Sequence, residues 1–127
     1  MSYSYDKTNI FARILRGEIP CDKVLETEHS LAFRDIAPRA PVHVLVIPKG
    51  SFVNFDHFAE AASAEEMADY CRAIGEVSRI TGTASTAGGH GYRLIANAGR
   101  DGVQEVPHLH VHVMGGRVLG SMLPSGG

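Results

Sequence analysis

The chain is short of cysteine, has no sustained apolar run and carries no excess of either charge, and each shortage removes a class of function. Cys21 and Cys71 stand far apart and outside any C-x-x-C. Two such residues cannot build a disulfide framework; they suit a reducing compartment and are read as packing residues. No stretch approaches the ~18 apolar residues that a bilayer span needs. The start, MSYSYDKTNIF, lacks the charged-then-apolar pattern of a secretory leader. The expected location is cytoplasmic. Twelve basic residues against 14 acidic ones leave a formal charge of -2. With no basic face, nucleic acid is not an expected partner. With no basic amphipathic segment, neither is a membrane surface.

What is present fits one globular domain. The 127 residues are 44% hydrophobic, enough for a real core and too short for a second domain. A single domain over 1–127 is expected, with its core at about 8–116 and a tail at 117–127. Histidine is abundant: seven residues, three of them within five positions.

Ile10, Phe11, Ile14 and Leu15 recur at helical spacing over 8–16, with Thr8 as the expected cap and Gly17 as the stop. Pro20 forbids continuation. Two short extended runs, 23–27 and 30–35, read as a hairpin. The run VHVLVIP at 42–48 is a strand that sends Val42, Val44 and Val46 one way and His43, Leu45 and Ile47 the other. No element is assigned to 51–62. Ser63 and Glu66 form a capping box, and Met67, Tyr70, Cys71, Ile74 and Val77 make one apolar face of a helix over 64–80. Residues 92–97 and 108–114 read as further strands, joined by a glycine-bearing loop at 98–106. Five strands and two helices in this order predict an α+β domain with an antiparallel sheet.

The sharpest feature is VPHLHVHVMGG. Along a strand, alternate residues share a face, so Leu109, Val111 and Val113 can enter the core while His108, His110 and His112 line up opposite, about 6.5–7 Å apart. Packing explains such a row poorly, because buried imidazoles need partners. A metal site is one alternative: two histidines at i and i+2 can share an ion, with a third ligand, such as Glu105, from elsewhere. Covalent catalysis is the other. An imidazole of fixed tautomer is a good nucleophile near neutral pH, and neighbouring imidazoles can bind charge and move protons. The loop AGRDGVQEV enters the same strand and can aim backbone N–H groups at a phosphate.

The triad VPHLHVHVM and the blocks NIFARILRGEIP, LAFRDIAPRAPVHVLVIPKG, GYRLIANAGRDGVQEVPH and HVMGGR resemble the histidine triad (HIT) family, and within it the prokaryotic-type members of the Hint branch. The likeness runs from about residue 8 to about 123. The galactose-1-phosphate uridylyltransferase branch carries Gln where His112 stands. The fragile-histidine-triad hydrolases follow the triad with Pro-Arg, where this chain has Gly-Gly-Arg.

The resemblance implies the HIT fold, with a five-stranded antiparallel sheet made continuous across a homodimer. It implies hydrolysis of purine nucleoside 5′-phosphoramidates, conjugates of AMP or GMP. His110 would attack the α-phosphorus and expel the amine, and water would then release the nucleoside monophosphate. His112 would contact phosphate oxygens and assist the leaving group, while His108 and His43 orient the array. Asp35 matches the ribose ligand. Ile10, Phe11, Ile14, Phe33 and Ile36 match the apolar slot for the base; periodicity alone makes them core. Asn97, Gln104, Glu105 and Val106 match positions near the phosphate and leaving group. Glu105 stands where animal members have serine, and a carboxylate there would favour cationic amines. Some relatives bind zinc through a C-x-x-C in the first helix; Asn9 and Ala12 stand there in this chain, so no such zinc is expected, nor any cofactor or magnesium requirement. A dinucleoside polyphosphate hydrolase, a nucleotide-binding scaffold with little turnover and a metal-binding protein are the rival readings. His29, His57 and His90 are expected at the surface without a role.

Overall fold

The computed structural model describes residues 3–124. Helix α1 (Ile10–Leu15) leads into strands β1 (Lys23–Glu26), β2 (Ser30–Arg34) and β3 (Val42–Pro48). Helices α2 (Phe55–Ala61) and α3 (Ala64–Ile80) follow, then a 3-10 turn (Ser85–Ala87) and strands β4 (Tyr92–Ala96) and β5 (Val111–Gly115). The five strands form one antiparallel sheet in the order β1-β2-β3-β5-β4. Among the described residues no helix is long and apolar enough to cross a membrane.

The pleat of β3 divides the core in two. Val44 and Val46 join Ala32, Leu109, Val111 and Val113 beneath α2 and α3, against Phe58, Tyr70 and Val77. Leu45 and Ile47 point to the other face, where they pack with Leu31, Phe33 and Phe11 of α1. Tyr70, only 2% exposed, donates its hydroxyl proton to the Val46 carbonyl, so a buried polar atom ties α3 to the central strand.

Four expectations are corrected here. Asn9, not Thr8, caps α1: its side-chain oxygen accepts from Ala12 N, while the Thr8 hydroxyl donates to Asp6. The described chain has three α-helices rather than two, because residues 55–61 fold as α2 with Asn54 as cap. Cys71 is exposed and does not pack; Ala73 takes the buried place on α3 between Tyr70 and Val77. The last strand begins at Val111, so only His112 of the three histidines lies in the ladder. The capping box of Ser63 and Glu66 closes the start of α3 as the sequence predicts.

Candidate active site

Strand register brings His43 and His112 together. In the antiparallel pairing of β3 with β5, Leu45 lies opposite His112 and His43 opposite Met114. Both imidazoles therefore project from the same face, the one opposite α2 and α3, as diagonal neighbours with ring centroids 5.2 Å apart. His110, in the approach to β5, sits with its ring 5.1 Å from that of His112 and edge-on to Phe11 at 5.0 Å. His108 is fully buried.

Hydrogen-bond partners fix the tautomer of all four rings. The His108 carbonyl can only accept, so His110 donates its Nδ1–H to it over 2.8 Å and carries its free lone pair on Nε2. The backbone N–H of Arg39 donates to His43 Nδ1 at 3.1 Å. His43 therefore bears its proton on Nε2 and donates it to His112 Nδ1 at 2.9 Å. His112 is thereby left with its proton on Nε2. His108 donates Nε2–H to the Pro48 carbonyl at 2.8 Å and accepts at Nδ1 from the Tyr5 hydroxyl at 2.5 Å. The result is a lone pair on one ring beside a proton on the next.

Burial favours this neutral state. Desolvation pushes His112 down to about 4, helped by the neighbouring His110 and His43 rings and opposed by Asp35. It pushes His108 to about 4 as well, against the Pro48 hydrogen bond. His110 and His43 are lowered by the same cause. For His110 the bond to the His108 carbonyl and the charges of Asp35 and Glu105 act in the opposite direction.

His110 and His112 line a cleft of about 510 Å³ with Asp35, His43, Asn97 and Glu105. Two larger clefts, one at the far ends of β4 and β5 and one beside α3, contain none of these histidines. Asp35 uses one oxygen to accept from Ala37 N in the turn after β2, and its other oxygen lies 3.4 Å from His43 Nε2. It is thus a turn residue and a cleft residue at once. Gln104 faces the loop instead: its amide donates to the Val53 and Val106 carbonyls and its oxygen accepts from Gly99 N, which clasps the 98–106 segment. Of the expected base-slot residues, Phe11 and Phe33 are core, with Ile14 and Val106 packed against them. Ile10 is half exposed, and Ile36 is 96% exposed.

Asp35, His43 and His112 bring one potential metal-ligand atom each within 4.8 Å of one another. Asp35, rather than Glu105, completes this group. A metal ion would have to displace the proton shared by His43 Nε2 and His112 Nδ1, since each ligand must offer a lone pair.

Three partners of the array carried no readable signal in the sequence: Tyr5, the Arg39 amide and the Pro48 carbonyl. His57 is also more than a surface residue, since it accepts from Val53 N and stacks on Tyr3.

An antiparallel sheet presents tautomer-fixed imidazoles over a cleft, which is the arrangement the triad resemblance implies. The HIT domain family matches residues 16–119, and the chain belongs to that family. It is 57% identical over 126 residues to an uncharacterised HIT-like protein of Azospirillum brasilense, covering 99% of this chain and all of that one. It is 43% identical over 114 residues to the purine nucleoside phosphoramidase of Escherichia coli, covering 90% of this chain and 92% of the relative. A solved HIT family hydrolase from Clostridium thermocellum superposes with a TM-score of 0.79 at 37% identity, covering 92% of this chain and 98% of the other.

Proposed function

We propose that the protein hydrolyses purine nucleoside 5′-phosphoramidates through a nucleotidyl-His110 intermediate. The observation that carries this reading is the pairing of a free lone pair on His110 Nε2 with a proton on His112 Nε2, each set by a partner behind it. His110 attacks phosphorus as the P–N bond breaks, and the electron pair goes to nitrogen. The leaving amine takes a proton delivered through His112. Water then attacks the same phosphorus, returns its proton by that route and frees the nucleoside monophosphate and neutral His110. Asp35 accepts from ribose hydroxyls with the oxygen that the turn does not use. Glu105 at the cleft favours a cationic amine. The name borne by the Escherichia coli relative supports the P–N bond as the target.

The test is amine release from adenosine 5′-phosphoramidate in the presence of EDTA. Wild type should turn over, and H110A should lose at least about a thousandfold in kcat. Activity surviving in H110A refutes the nucleophile. A folded wild type that cleaves only dinucleoside polyphosphates, or binds AMP without turnover, refutes the reaction.

The same reading includes a homodimer. Strand β4 is a sheet edge with Tyr92 and Leu94 nearly half exposed, and an unpaired edge of this kind is a template for a second copy.

A further inference from the structure

Residues 3–9, which lead into α1, are tied down at several points. The Tyr3 ring stacks on His57, with centroids 4.3 Å apart and planes 9° from parallel, and its hydroxyl donates to Asp56. The Asp6 carboxylate accepts from both the backbone N–H and the hydroxyl of Thr8. The Asn9 amide donates to the Asp6 carbonyl. Between these anchors Tyr5 reaches the ring of His108, 103 positions away in sequence.

The donor and acceptor roles in that contact follow from chemistry. Pro48 offers only a carbonyl, so His108 spends its single proton there. His108 Nδ1 is then an acceptor, and the Tyr5 phenol is the donor. His108 is 0% exposed, so with Tyr5 in place its Nδ1 meets the phenol and not solvent. Without the phenol, a buried lone pair is left unpaired, and the Pro48 bond alone is left to orient the ring. The carbonyl of this same residue holds His110 Nδ1–H. The peptide flanking it is pinned by His108 N to the Val106 carbonyl and Leu109 N to the Phe52 carbonyl, both at 2.8 Å. The ring, held between Tyr5 and Pro48, is the remaining constraint on residue 108.

We propose that Tyr5 is a positioning residue for His110: its phenol locks the His108 ring against Pro48, and with it the carbonyl that keeps the proton of His110 on Nδ1. The inference rests on the reading of His110 as nucleophile. An N-terminal strap thus reaches the reacting nitrogen through a single intermediate residue.

The experiment compares wild type, Y5F and Y3F in two measurements. The first is the 15N spectrum of the histidine side chains, which reports the tautomer at each ring and needs no substrate. The second is kcat and KM on adenosine 5′-phosphoramidate. In wild type, His108 should be protonated at Nε2 and His110 at Nδ1. In Y5F, which keeps the aromatic ring, His110 should show a mixture of tautomers. Its kcat should fall about tenfold, while KM stays within about twofold. Y3F, which loses only the bond to Asp56, should match wild type in both measurements. The proposal is overturned if Y5F keeps a single His110 tautomer, if the tautomer mixes with kcat unchanged, or if Y3F loses as much as Y5F. The last result would mean that docking of the strap, rather than the phenol bond, is what matters. Should wild type fail to turn over this substrate, the proposed reaction falls, and the spectra alone decide whether Tyr5 sets the His110 tautomer.

Discussion

In the proposed reaction His110 attacks only as the neutral imidazole, and burial holds its pKa below the ordinary 6.5. Because kcat/KM reports the free enzyme, its acid limb should stay flat from neutral pH down past 6.5 and fall only below that. Glu105 raises the affinity of His110 for a proton. Removing that charge in E105Q should therefore move the acid midpoint lower, never higher. A wild-type midpoint at or above 6.5, or an upward shift in E105Q, contradicts this account. A second residue-scale prediction concerns Val103, the one non-glycine residue with positive φ among those described, at 55°. A β-branched side chain there costs about 1–2 kcal/mol, and the surrounding loop enforces it. Val103 N donates to Arg100 O, Gln104 N donates to Gly99 O, and a Cβ on Gly102 would come within 2.6 Å of Ala98 O. Glycine suits the angle but loses more chain entropy on folding, roughly 0.4–1 kcal/mol. V103G should therefore raise the unfolding free energy by about 0.5–1 kcal/mol in urea titration; a loss of stability would show that the isopropyl group is packing rather than strained.

At the scale of elements, Asn54 decides whether α2 starts. Its side-chain oxygen accepts from His57 N, and N54A should cost about 1 kcal/mol of stability in the same titration. An unchanged midpoint would mean that packing of Phe58 and Phe52 alone holds the helix. This element was the hardest to read from the chain, because FDHFAEA is short and its aromatic residues serve both a helix face and the turn before it. By contrast α3 was legible to its last residue, since a capping box and a sustained 3.6-residue apolar period agree. Strand β3 was equally legible, because strict alternation of Val with His, Leu and Ile leaves one way to place it. That alternation correctly put His43 on the face of Leu45 and Ile47. The same rule overreached at the triad. Alternation continues back to His108, but the β5 ladder begins only at Val111, so His108 is a buried support rather than one of three equivalent imidazoles. The partners that fix the tautomers are a loop amide, the carbonyl at the end of β3 and a phenol from the far end of the chain, and none follows a local period.

At the scale of the whole molecule, the sheet has two edges, β1 and β4. On β1, Val24 and Leu25 pack against the core under α3, whose Asp69 accepts from the hydroxyls of Thr27 and Ser30 between β1 and β2. Strand β4 pairs only with β5, and its outer N–H and C=O groups have no strand to meet among the described residues. Leu94 lies opposite Val113 in the ladder and so points to the side of α2 and α3, yet it stays 47% exposed while Val113 is fully buried. Antiparallel pairing of β4 with β4 of a second copy would satisfy that edge, cover Leu94 and make a ten-stranded sheet with the two clefts on the same face. Light scattering at micromolar concentration should therefore give twice the chain mass of 13.6 kDa. A charge at this edge should prevent pairing, so L94K should run as a monomer with an unchanged far-ultraviolet circular dichroism spectrum. A wild-type monomer would refute the dimer outright. A dimer that survives L94K would place the interface away from β4, and the edge would then need some other cover. Because Ile95 of β4 lines the cleft and pairs with His112 in the ladder, a partner strand on β4 would stiffen a wall of the cleft directly. The monomeric variant should accordingly lose activity on adenosine 5′-phosphoramidate as well as mass, and a fully active L94K monomer would show that each chain holds its site unaided.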